Sequence, residues 1–199
     1  MSTLSRRRPK KAPYHHGDLR TAIVRAAGEN LEKQGVAALS LREAARRAGV
    51  SHNAPYRHFA DRDALLAALA AEGFGQLNDV LEAAQDPRVR GEAYVRFALE
   101  HPQRFQLMFG ATLRLEAHPK LREAAARTYD GLVRVFEPLA GPGGTHAAAA
   151  AAWALVHGLS QLLLEGHFPS AKRGKRETAV FVREVLAVVR FARAAQPTH

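Results

Sequence analysis

Between Leu39 and Leu66 the sequence sets helix starts and stops so close together that only short, tightly packed helices fit there. Ser40 and Glu43 stand three residues apart ahead of an apolar face of Leu41, Ala44, Ala45 and Ala48, the spacing of a capping box. Gly49 stops that helix and Val50 fills the corner. Ser51 is placed to cap a second short helix running to about Phe59. Asp61 is placed to cap a long one, in which Leu65, Leu66, Leu69, Phe74, Leu77 and Leu81 recur at helical spacing. Small residues at 44, 45 and 48 let two helices approach across a glycine turn. That is the helix-turn-helix arrangement, whose second helix enters the major groove of DNA while the first crosses the backbone.

The rest of the chain is also helical in pattern. Leu19, Ile23, Ala26, Ala27, Asn30 and Leu31 share one face of a first helix, with Asp18 as its N-cap and Gly35 as its stop. Further helices are expected near 88–100, 102–110, 119–138, 145–166 and 177–195, punctuated by Pro87, Pro102, Pro119 and the Gly-Pro-Gly-Gly at 141–144. No stretch sustains the alternation of a strand. The expected fold is therefore all-α with about nine helices. Residues 1–17 are expected to be a disordered basic arm, 18–62 a three-helix DNA-binding domain, and 63–199 a helical-bundle domain for ligand binding and dimerisation.

Charge points to the partner. Residues 1–62 carry 13 lysines and arginines against 5 aspartates and glutamates, a net of +8, out of +10 for all 199 residues. An excess confined to one end suggests a polyanion. The arm, with Arg6, Arg7 and Arg8, contains Pro9 and Pro13 and a single large aliphatic residue, Leu4, which is unlike a membrane-binding amphipathic helix. No apolar stretch follows it, so a secretory signal is not expected. The longest apolar run, Ala147 to Val156, is short for a bilayer span. There is no cysteine, which excludes disulfides and thiolate chemistry. A cytoplasmic protein with no membrane partner is expected.

On the wheel of the second short helix, Pro55 and Phe59 face inward while Asn53 and Arg57 point out, flanked by His52 and Tyr56. Asparagine pairs with adenine edges and arginine with guanine O6 and N7. Tyr56 and His58 can hold phosphates, which fixes register. Arg62 and Ser40 lie at helix N-termini, where backbone N–H groups favour an anion. The basic arm is expected to follow the phosphates or enter the minor groove.

The run from Leu39 to Ser51, then Pro55-Tyr56-Arg57-His58-Phe59, then Asp61-Arg62-Asp63-Ala64-Leu65-Leu66, resembles the TetR-family DNA-binding domain almost position for position over residues 18–75. The resemblance implies DNA contacts from Tyr56 and His58 and a phosphate contact from the basic residue at 62. Pro55 stands where that family usually has leucine or another apolar residue. Trp153, His157 and Gly158 resemble the Trp-His-Gly signature of the WHG type of TetR C-terminal domain, with Tyr14–Leu19 and His101-Pro102, Phe105, Met108, Phe109 and Gly110 similar to the same subgroup. The resemblance implies a homodimer built on the last two helices, binding a palindromic double-stranded operator and released by a small-molecule effector.

The candidate effector pocket is apolar, with Phe97, Phe105, Met108, Phe109, Trp153 and His157 as its walls. At helical spacing such residues are more often plain core, and a single histidine such as His157 is more often a satisfied core histidine. Ten histidines include no i,i+4 pair, so no metal is expected, and neither cofactor nor catalytic constellation is present. A ligand-responsive repressor is the expected function. The alternatives are a non-specific architectural DNA-binding protein and a helical small-molecule carrier.

Overall fold

The computed structural model describes residues 16–140, 143–169 and 174–188. Arg6, Arg7 and Arg8 of the basic arm lie outside the described residues, as do 189–195 of the expected last helix. Among the described residues the chain is all-α, with eight α-helices. These are α1 (His16–Gln34), α2 (Leu41–Arg47), α3 (Arg62–Glu82), α4 (Pro87–Glu100), α5 (Pro102–Phe109), α6 (Pro119–Phe136), α7 (Thr145–Leu164) and α8 (Lys175–Val188). Three 3-10 turns, Val36–Ala38, Pro55–Arg57 and Leu115–Ala117, join them.

The helix ends follow from local chemistry. Pro87, Pro102 and Pro119 each open a helix, where a missing N–H costs least. Asp86 caps α4 by accepting from the N–H groups of Arg88 and Val89. Ser40 caps α2 by accepting from the Glu43 N–H at 3.1 Å, and Asp61 caps α3 through the Ala64 N–H at 2.8 Å. Gly49 ends α2 at φ +68, a conformation that suits glycine. Its N–H reaches Arg46 O at 3.2 Å and the Val50 N–H reaches Ala45 O at 3.0 Å, a Schellman closure.

Two expectations are corrected. α1 begins at His16, so Asp18 lies within its first turn and not at the N-cap position. The expected helix from Ser51 to Phe59 is only the 3-10 turn Pro55–Arg57. Proline has no N–H to return to Ser51 O, and its ring opposes the carbonyl four residues back. The segment turns instead through Ala54 N–H to Ser51 O at 3.0 Å, Arg57 N–H to Ala54 O at 3.3 Å and His58 N–H to Pro55 O at 2.9 Å. No side chain caps it, so Ser51 does not act as an N-cap. Pro55 and Phe59 are buried and pin the turn to the core, with the Arg20 guanidinium 5.4 Å from the Phe59 ring.

α3 is the spine of the molecule, packing against α1, α4, α5 and α6. One apolar cluster runs along it, from Ile23, Leu31 and Leu65 near the N-terminal helices to Leu77, Phe97 and Phe105 in the bundle. α4, α7 and α8 close a second cluster around Val95, Leu159, Leu163, Val182 and Leu186. α5 lies between α1 and α3. Its Arg104 reaches Glu32 on α1 (Nε to Oε1, 3.4 Å) and Glu72 on α3 (Nη1 to Oε1, 3.3 Å). Two glycines make room for it: a Cβ on Gly28 would stand 2.8 Å from Arg104 Nη2, and one on Gly73 would stand 2.6 Å from Met108 Sδ.

α7 is long and apolar enough, by length and composition, to cross a membrane, which its ten-residue apolar run understates. It is a bundle element here, packed on α4 and α6. One side of it stays uncovered: Ala147, Ala150, Ala151, Ala154 and Leu162 are exposed. Nothing lies within 4 Å of where a Cβ on Gly158 would sit.

Candidate DNA-binding face and bundle cavity

The turn that replaces the second short helix presents His52, Asn53, Tyr56 and Arg57 together, all exposed. Tyr56 is 51% exposed although its neighbours in sequence, Pro55 and Phe59, are buried. Ser40 is exposed at the start of α2. Its Oγ accepts from Glu43, which leaves the hydroxyl proton for another acceptor. Behind it the Glu43 carboxylate takes Arg46 and Arg47 at 2.7 and 2.6 Å. Those hydrogen bonds, Arg46 first, hold its pKa down at about 2. Arg42 and Arg46 remain exposed beside the turn. His58 is half-buried, and its Nε2 is buried with no hydrogen-bond partner.

Arg62 turns inward. Its Nε donates to Leu39 O at 2.8 Å and its Nη2 to Val36 O at 2.6 Å. Asn30, fully buried on α1, donates to Ala38 O at 3.4 Å. Side chains from α1 and α3 thus hold the Val36–Ala38 turn that delivers the chain to the cap of α2. Neither role was legible in the sequence: Asn30 reads as one more position on the inner face of α1, and Arg62 as a solvent-facing cation.

The bundle holds a partly open cavity of about 230 Å³ between α3, α4, α5, α6, α7 and α8. Of the six expected wall residues, Met108, Phe109 and Trp153 line it. Phe97 and Phe105 do not; they are 3% and 0% exposed, in the core behind the wall. The Phe105 ring lies 4.9 Å from that of Phe109 and 5.3 Å from His157. His157 sits behind the wall as well, its Nδ1 2.9 Å from Tyr94 Oη. The same hydroxyl accepts from Trp153 Nε1 at 3.2 Å. Indole N–H can only donate. The Tyr94 hydroxyl keeps a proton to donate to His157 Nδ1 in the tautomer that carries the imidazole proton on Nε2. Burial raises the Tyr94 phenol above its ordinary range and lowers His157 below its own, so both are neutral near pH 7.

Among the wall residues missed are a buried arginine and a tyrosine. Tyr94 and Arg90 lie four apart on α4, on the face that also carries Phe97, and this placement of an arginine on an apolar face was a readable signal. Arg90 is 7% exposed and its Nη1 donates to Leu81 O at 2.7 Å. Its Nε is buried without a partner, and burial, followed by the nearby cation Arg134, lowers its pKa. Among the described residues no cluster of histidine and carboxylate side chains could hold a metal ion.

Residues 23–69 match the family of bacterial regulatory proteins, tetR family, and residues 87–189 match the tetracyclin repressor-like C-terminal domain. The second description does not distinguish the WHG type. The chain is 30% identical over 116 residues to the HTH-type transcriptional regulator Rv1816 of Mycobacterium tuberculosis, an overlap of 53% of this chain and 50% of that protein. It thus spans about half the length of the curated relatives it matches. A solved structure of a protein of unknown function from Rhodococcus sp. RHA1 is 38% identical, with a TM-score of 0.72, covering 89% of this chain and 94% of that one. A bacterial regulatory protein in the tetR family from Rhodococcus RHA1 shares the fold at 23% identity, with a TM-score of 0.61 over 86% and 96% of the two chains.

Proposed function

Since the chain belongs to the tetR family of bacterial regulatory proteins, and so is a DNA-binding transcriptional regulator and not an enzyme, we propose that it is a ligand-responsive repressor released from its operator by a small apolar or amphipathic effector. The observation that carries this reading is the placement of α5. That helix sends Met108 and Phe109 to the cavity and Arg104 onto α1, so one rigid element touches both the effector chamber and the DNA-binding helices. An effector that binds the arrangement with low DNA affinity more tightly shifts the population toward it.

On this reading residues 18–62 bind DNA and 63–199 bind the effector and dimerise, in the cytoplasm. Asn53 and Arg57 read bases, with His52 beside them. Ser40, Tyr56 and His58 hold phosphates, and the arm with Arg6, Arg7 and Arg8 follows the backbone. Arg62 acts mainly by bracing the Val36–Ala38 turn, and its unspent N–H groups are the ones left for a phosphate. The partner in dimerisation is a second copy, seated on the uncovered sides of α7 and α8. On α8 the apolar Val180 and Val188 are exposed as well.

Selection of bound genomic fragments, followed by footprinting, tests the reading. Two symmetric half-sites whose centres are one helical turn or a multiple apart are expected. Arg57→Ala should cost about 1–3 kcal/mol and relax preference at one position of each half-site. Protection without sequence preference would instead mark an architectural DNA-binding protein.

A further inference from the structure

A buried cation is costly unless a counter-charge or a full set of acceptors surrounds it. Arg90 has neither. It lines the cavity while only 7% exposed, and among the described residues no carboxylate comes within ion-pair distance. One carbonyl, Leu81 O near the end of α3, takes one of its N–H groups. The partial negative charge of that helix end is a weak compensation. Of the two charged groups that act on Arg90, the cation Arg134 outweighs the carboxylate of Glu82. The two guanidinium groups converge: Nη2 of Arg90 and Nη2 of Arg134 lie 3.1 and 3.5 Å from the point a Cβ on Gly131 would occupy. Arg134 stands outside the lining; Arg88, exposed near the start of α4, is the second arginine within it. Away from these arginines the wall is mainly aromatic and aliphatic, and its side-chain polar atoms are engaged: Trp153 Nε1 donates to Tyr94 Oη, Thr128 Oγ1 to Ala124 O, and Tyr129 Oη meets His146 Nδ1.

We infer that the cavity takes a small amphipathic monocarboxylate, its apolar body among Phe74, Met108, Phe109 and Trp153 and its head group at Arg90. The inference rests on the cavity being the effector chamber. A single negative charge fits because one guanidinium is buried, and its planar fork matches a carboxylate. The apolar walls supply the remaining affinity and exclude a bare inorganic anion.

The chain carries a single tryptophan, and it lines the cavity, so its emission reports occupancy directly. The experiment titrates the full chain at pH 7.5 with octanoate, octan-1-ol and octylammonium, reading Trp153 fluorescence and melting temperature. Octanoate should bind at least about tenfold more tightly than octanol, and octylammonium more weakly than either. Arg90→Met should abolish the preference for octanoate over octanol, and Arg90→Lys should keep most of it. The head-group series on the unmodified protein decides the matter even where Arg90→Met does not fold. Octanol binding as tightly as octanoate, or a preference that survives in Arg90→Met, would overturn the carboxylate assignment and leave the chamber standing. No response to any of the three probes would overturn both.

Discussion

Arg62 spends two of its N–H groups on the carbonyls of Val36 and Leu39, so its removal leaves half-buried acceptors without donors. Arg62→Ala should lower stability by about 1–3 kcal/mol in denaturant unfolding and weaken DNA binding alike for all sequences. The slope of log affinity against log salt separates bracing from phosphate contact. Bracing leaves the slope unchanged, whereas a lost phosphate contact reduces it by about 0.9. His157 makes a second prediction at this scale. Its folded pKa is depressed by burial, so the unfolded chain takes up a proton that the folded site resists. The stability it contributes is complete above the unfolded value of about 6.5 and is lost as pH falls below it. Between pH 7.5 and 5, the melting temperature of the native chain should fall more than that of His157→Gln. An equal fall in both would mean that His157 takes up protons freely in the folded state. The sequence placed these residues on the correct elements, but not their partners. Whether Arg62 meets water or two carbonyls depends on where a turn more than twenty residues earlier returns to α3, and no local pattern encodes that.

At the scale of elements, local sequence pattern exposed most of the plan. Helical periodicity, prolines at helix starts and Gly49 at a helix end are local rules, and α2 and α4 to α6 obey them to within two residues at either end. Where the reading failed, a single residue decided: Pro55 removes the N–H on which an α-helical turn from Ser51 depends. The cavity wall was half legible. Met108, Phe109 and Trp153 were found because large side chains cluster in sequence, while Phe97 and Phe105 share that signature and fell in the layer behind. Periodicity shows which side of a helix is inward, not whether the next layer is filled. α7 yields a prediction. A Cβ on Gly158 meets nothing within 4 Å of its own chain, so a side chain there leaves the single subunit undisturbed. Gly158→Glu should keep the helical circular dichroism and turn the dimer proposed above into a monomer by light scattering. A dimer that persists would place the interface elsewhere.

The whole molecule is organised around α3 and α5, which join the two ends through one continuous core. Arg104 is the polar link in that path, held between Glu32 on α1 and Glu72 on α3. Arg104→Met keeps the aliphatic stem and removes both ion pairs. On the proposed ligand-responsive reading, it should leave effector affinity near its native value while reducing the coupling between effector and operator, which is typically about 1–3 kcal/mol in allosteric systems. Operator titrations with and without saturating effector measure that coupling directly, and an unchanged difference would show that the signal bypasses α5. The uncovered side of α7 bears on how the protein behaves at the concentrations of a cell. If two chains must meet before either grips a half-site firmly, operator occupancy at low abundance rises with the square of chain number. A modest change in synthesis would then become a sharper change in transcription, before any effector arrives.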